Sequence, residues 1–136
     1  MAIIVPATFR GQLATGTHNL TTATLKMALY TSALTAATTA YSATNEASGT
    51  GYSAGGATMA LASGYPATDS DGRITYRYDT VTWSTATFSA SWALIYNSSA
   101  SNYAVLVLDL GGTRTVTAST FSVAFPTTLP AILRIT

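Results

Sequence analysis

The sequence predicts an all-β chain, an antiparallel β-sandwich of immunoglobulin-like or jelly-roll connectivity, with room for one short N-terminal helix. Two observations carry this. From Phe88 to Tyr96 large apolar residues (Phe88, Ala90, Trp92, Leu94, Tyr96) alternate with small, mostly polar ones (Thr87, Ser89, Ser91, Ala93), and a period of two marks a strand with one buried face. About seven or eight such short runs are separated by Gly, Pro, Asn, Asp and Ser, the spacing of a sandwich.

The elements follow in order. Phe9 and Leu13 stand four apart and Gly16 follows, which predicts one or two helical turns over Ala7 to Thr15. Leu25, Met27 and Leu29 alternate with Lys26, Ala28 and Tyr30, a first core strand. Ala57 to Leu61 is a short strand with Met59 and Leu61 inward, closed by the turn residues Ser63 to Pro66. Asp69 to Gly72 is a turn, and Ile74, Tyr76 and Tyr78 share a face of the strand that leaves it. Val81 and Trp83 have the opposite parity, so Asp79 and Thr80 must hold a bulge or a break.

The stretch from Val81 to Leu110 is the centre of the predicted core. Trp92 is placed inward with Phe88 and Ala90, so Trp92→Ala is expected to cost ~3–5 kcal/mol. After the polar loop Asn97 to Asn102, Tyr103 to Leu110 is apolar on both faces and reads as a central strand, ended by Gly111 and Gly112. Thr113 to Thr117 and Thr120 to Phe125 predict two further strands, with Phe121, Val123 and Phe125 aligned and Pro126 stopping the run. Ile132 to Ile135 is a last short strand.

The chain has 136 residues and no cysteine. One sandwich domain over residues 1–136 is expected, since a chain of this size buries roughly 68–70% of its unfolded surface without disulfides or metal. The absent cysteines exclude thiolate metal sites. Met1 to Pro6 has no basic start and turns polar at once, so neither a secretory signal nor a membrane span is expected there. Only 8% of residues are charged and the net charge is +1, against about 25% charged in an ordinary domain. Small domains usually stay apart through a net charge of magnitude ~2–8. A chain so poor in charge suits an assembly, and a homo-oligomer is expected. Lys26, Arg10, Arg73, Arg77, Arg114 and Arg134 are scattered and balanced by acids, which argues against a nucleic-acid partner.

From Thr31 to Gly56 the chain is almost all Thr, Ser, Ala and Gly, and Tyr41, Glu46 and Tyr52 are its bulky or charged members. Loops this long inside a small domain are usually functional. Tyr41, Glu46 and Tyr52 are therefore the candidate interface residues, on a loop placed either over the sandwich or against a neighbouring subunit.

No motif supports catalysis. Gly51 to Gly55 spells G-x-S-x-G around Ser53, but no α/β alternation surrounds it and His18 precedes the serine, whereas that fold places the base after it. Gly49 and Gly51 do not meet the dinucleotide-binding spacing. Asp69, Asp71 and Gly72 resemble the opening of a calcium loop without its later ligands, and an Asp-Gly hairpin turn accounts for them. Glu46, Asp79 and Asp109 offer no selected carboxylate pair; Asp109 is expected to solvate a strand end or meet Arg114. His18 reads as a cap or loop residue. The glycosylation patterns at Asn19 and Asn97 are taken as chance matches. No catalytic residue, cofactor or metal ligand is assigned. The tyrosines and tryptophans could form a sugar platform, but Tyr76, Tyr78, Trp92 and Tyr96 fall in register with the core.

At Leu25 to Ser32 (Leu-Lys-Met-Ala-Leu-Tyr-Thr-Ser) and Thr44 to Gly56 (Thr-Asn-Glu-Ala-Ser-Gly-Thr-Gly-Tyr-Ser-Ala-Gly-Gly) the chain resembles a group of small virion structural proteins of tailed bacteriophages. The resemblance continues through Val81 to Ser84, Ala93 to Asn97 and Ala104 to Gly112, and so covers most of the chain. These are structural motifs. The resemblance implies a particle component, made in the host cytoplasm and carried in the virion, and it adds no active-site residue. The expected role is a capsid decoration or cement protein binding the major capsid protein and its own copies. A neck, tail or fibre subunit is the alternative, and a carbohydrate-binding module a further one.

Overall fold

Apolar alternation in Leu25, Met27 and Leu29 becomes a central strand in the computed structural model, which describes residues 2–125 and the backbone of 133–135. Among the described residues the chain forms β1 (Ala2–Ile4), α1 (Ala7–Ala14), β2 (Leu25–Tyr30), β3 (Ala57–Thr58), β4 (Ala67–Thr68), β5 (Ile74–Tyr76), β6 (Val81–Asn97), β7 (Tyr103–Val123) and β8 (Leu133–Ile135). One sheet has the order β1-β7-β6-β2-β3 and the other β4-β5-β8, and every described pairing between strands is antiparallel. The chain is thus mostly antiparallel sheet with one short helix, as expected. The strands are not all short, because β6 and β7 run for 17 and 21 residues.

The helix docks through Phe9, which is buried, and Gly16 turns the chain away in the left-handed region at φ 78°. β2 lies between β6 and the short β3. Its Leu25, Met27 and Leu29 enter the main core, while Ala28 and Tyr30 enter a smaller apolar cluster on the opposite face. The Asp-Gly turn is a hairpin between β4 and β5, with the Gly72 amide donating to the Asp69 carbonyl at 3.1 Å. No strand covers Asp79 and Thr80, so the anticipated break is present. It lets Tyr76, Tyr78, Val81 and Trp83 reach the same core. The expectation that Pro126 stops a strand lies outside the described residues.

The β6–β7 hairpin corrects two expectations. Gly111 and Gly112 do not end a strand; β7 continues to Val123. Ala90 pairs with Arg114 and Trp92 with Asp109, so the residues between Asp109 and Arg114 form a bulge, with Gly111 and Gly112 at φ 78° and 116° and Leu110 still in the core. The separate strands expected after the glycines are therefore the far half of one strand. This bulge also flips the parity of β6. Phe88 and Ala90 belong to the main core, but Trp92, Leu94 and Tyr96 face the smaller cluster while Ala93 and Ile95 take the core side. Trp92 is half-buried rather than inward beside Phe88.

A second irregularity, between Trp83 and Ala86, has Thr85 at φ 51°. Together the two shifts keep Val81, Trp83, Ala86, Phe88, Ala90, Ala93 and Ile95 on one core although their spacing changes twice. A strict period of two would have exposed part of that set. At the far end of the hairpin Trp83, Phe88 and Phe121 pack with ring centroids 5.0–6.4 Å apart, within the range where aromatic pairs add to burial.

Candidate functional site

The segment from Thr31 to Gly56 has no regular strand, and it packs on the molecule's own sheet. Leu34 and Tyr41 cover the smaller cluster, and Ala47 and Tyr52 reach the main core. The segment thus passes from one face of the large sheet to the other around the end of β2. At that edge the Ala47 amide donates to the Leu29 carbonyl at 2.8 Å, and the Leu29 amide donates to the Tyr52 hydroxyl at 2.9 Å. A tyrosine hydroxyl and a loop amide thereby satisfy backbone groups that a neighbouring strand would otherwise take.

The three candidate residues come together in one cluster. The Glu46 carboxylate accepts the Tyr41 hydroxyl at Oε2 and both the Tyr52 hydroxyl and the Gly55 amide at Oε1, each at 2.7 Å. All three are half-buried. Tyr41 stacks on Tyr96 with ring centroids 4.9 Å apart, and the Tyr96 hydroxyl donates to the Gly55 carbonyl at 2.7 Å. Their polar ends are thus turned toward one another. Burial, reinforced by the nearby carboxylate, pushes the Tyr41 phenol up to about 12 and the Tyr52 phenol higher still. Burial also raises Tyr30, whose hydroxyl donates to the Ser42 carbonyl at 2.7 Å. The phenols are therefore donors at neutral pH, which is what the carboxylate requires.

Tyr96 and the Leu29 backbone belong to this cluster, and sequence reasoning missed them. The available signal was that Glu46 is the one acid of a 26-residue stretch flanked by tyrosines five residues before and six after.

The glycines on either side of the G-x-S-x-G match serve close approach. A side chain at Gly49 would overlap the Thr87 carbonyl oxygen, and one at Gly56 the Met27 carbonyl oxygen. Both glycines also have positive φ, at 147° and 76°, where a Cβ is disfavoured. Ser53 is exposed.

His18 is engaged elsewhere. It is buried, lies 5.2 Å from the Phe9 ring between centroids, and joins α1 to β6. The Asn97 side-chain oxygen accepts the Ser99 amide at 2.9 Å, so the Asn97 nitrogen donates to His18 Nδ1 at 3.1 Å. His18 Nε2 then carries the proton toward Gln12 Oε1, also at 3.1 Å. Burial lowers the imidazole pKa, and His18 is a neutral tie between elements.

The turn carboxylates are held by Arg73, whose Nε reaches Asp69 Oδ2 and whose Nη2 reaches Asp71 Oδ2, both at 2.7 Å. Among the described residues no group of three or more His, Cys, Asp or Glu is placed to hold a metal ion. Asp109 accepts the Gly111 amide at 2.8 Å, and Arg114 Nε donates to the Leu110 carbonyl at 3.2 Å, so both steady the bulge.

The far half of the β6–β7 hairpin presents a different surface. Its inner side buries Trp83, Phe88, Val116 and Phe121, while its outer side exposes Thr82, Ser84, Thr87, Thr115, Thr120 and Ser122. Cross-strand hydroxyl bonds join Thr115 to Ser89 at 2.8 Å and Ser122 to Thr82 at 3.3 Å. Between Leu110 and Phe125 the one charged residue is Arg114. No protein-family model, curated protein or solved structure matches this chain, so its function has to be read from these surfaces and from the residues that build them.

Proposed function

We propose that the chain is a non-enzymatic structural subunit of a tailed-phage particle, a capsid decoration or cement protein that docks on the major capsid protein. The observation that carries the reading is the exposed hairpin. A long two-stranded arm, stiffened from within by aromatic packing, offers a hydroxyl-covered outer face with almost no charge. Such a face has little electrostatic defence against association, and it suits flat contact with protein. The likeness of Leu25 to Ser32, Thr44 to Gly56 and Ala104 to Gly112 to phage virion proteins supports the same reading. Those stretches supply β2, the carboxylate cluster that clamps its edge, and the first half of β7.

On this reading Tyr41, Glu46 and Tyr52 serve the interface by fixing the shape of the loop. Exposed neighbours such as Ser42, Ala43 and Thr44 add to the contacting surface of the hairpin. Mixing the purified chain with capsids that lack it tests the proposal: saturable binding supports it, and absence of binding overturns it. Binding to tail or neck complexes instead would favour the axial alternative.

A further inference from the structure

We propose that the outer edge of β7, from Thr113 to Thr117, pairs with the same edge of a second copy of this chain, antiparallel about a two-fold axis. Among the described residues the other long edges of the large sheet are each met by a segment of the same chain. Gly49 to Gly51 lies against β6, where the Thr87 amide donates to the Thr50 carbonyl at 2.9 Å. Residues 46–58 cover β2. β1 covers β7 only over Val107 to Asp109. Beyond that point, among the described residues, β7 has β6 on one side and an open groove on the other, lined by its own run from Thr113 to Val123.

The direction of the free groups follows from the ladder. The Thr87 amide points away from β7, and amide directions alternate along a strand. Phe88 and Ala90 therefore face β7, where they pair with Val116 and Arg114. The N–H and C=O groups of Thr115 face the open side, as do those of Thr117 before the irregularity at Ala118. Natural sheets blunt such edges with lysine, proline or a cover. This stretch has no lysine and no proline.

A second copy fits the edge because the edge complements itself. With the axis at Thr115, Thr117 falls opposite Thr113 of the partner subunit and Arg114 opposite Val116 of the partner subunit. No arginine then faces its own copy. Each guanidinium is also turned along its strand to the Leu110 carbonyl, away from the axis. The pairing is isologous and closed, as expected of a two-fold dimer. It needs no capsid, so its failure leaves the particle reading to its own test.

Native mass spectrometry of the full chain between about 1 and about 100 µM, with hydrogen exchange at the same concentrations, tests this. The expected result is a species of twice 14.0 kDa that grows with concentration, with the Thr115 and Thr117 amides protected in step. Thr115→Pro, which removes an outward N–H that no strand among the described residues uses, should abolish the dimer, while Thr115→Val retains it. A chain that stays monomeric overturns the proposal. So does any oligomer in which those amides remain unprotected, or one that a folded Thr115→Pro variant keeps. Should Thr115→Pro fail to fold, exchange on the natural chain decides.

Discussion

The hydroxyl of Tyr52 donates to Glu46 Oε1 at 2.7 Å while accepting the backbone amide of Leu29 at 2.9 Å. One phenol thus links an edge of the core sheet to the carboxylate that organises the longest irregular segment. Removing either residue opens both structures.

Glu46→Ala leaves two phenols and the Gly55 amide without their acceptor. Hydrogen bonds to a charged group contribute about 1.5–3 kcal/mol each, and the groups are only half-buried, so a loss of about 2–3 kcal/mol is expected. Tyr52→Phe should cost about 1–3 kcal/mol by orphaning the Leu29 amide. Urea denaturation measures both, and losses under about 0.5 kcal/mol would show that the cluster does not hold the segment.

Alkaline stability follows from the same phenols. Their folded pKa values are raised, Tyr41 to about 12, whereas an unfolded tyrosine ionises near 10. The unfolded state therefore loses protons first. This contribution is full below pH of about 10 and is lost as pH rises through the folded values. Ultraviolet titration of the phenols should show a delayed group of tyrosines that ionises together with unfolding.

His18 works in the opposite direction. Its folded pKa is lowered by burial, so its contribution is full above the unfolded value near 6.5 and is lost as pH falls below it. Protonated Nδ1 would meet the Asn97 amide nitrogen donor to donor. Thermal melts from about pH 7 down to about pH 5 should show declining stability, and His18→Gln should flatten that slope. An unchanged slope in the variant would assign the dependence to other groups.

The two tryptophans separate the observed register from the simple alternation. Trp83 is 5% exposed within the aromatic cluster, and Trp83→Ala should cost about 3–5 kcal/mol. Half-buried Trp92, on the opposite face, should cost about half as much. Equal losses in chemical denaturation would restore Trp92 to the inward position that strict alternation gives it.

The helix, the first core strand, the Asp-Gly hairpin and the break at Asp79 and Thr80 were legible because local pattern determines them. Phe9 and Leu13, or Leu25, Met27 and Leu29, need no distant partner to show their period. Trp92 was misplaced because its face depends on residues 109–114 across the ladder. Gly111 and Gly112 read locally as a stop, yet in pairing they are a bulge. Tyr41, Glu46 and Tyr52 were found as the unusual members of a bland segment, but their bonds to one another, to Gly55 and to Leu29 arise only once the chain has wrapped around β2. Sequence analysis offered a loop either over the core or against a neighbour, and its packing on the core is tertiary.

The central claim is that this chain is a built-in component of a phage particle. Quantitative mass spectrometry of purified tailed-phage particles from cells that carry this chain's gene tests that claim most directly. The decoration role predicts on the order of hundreds of copies per particle, in fixed ratio to the major capsid protein, as repeated lattice symmetry requires. A small symmetric number of copies would move the subunit to the neck, tail or fibre, and complete absence from particles would contradict the account.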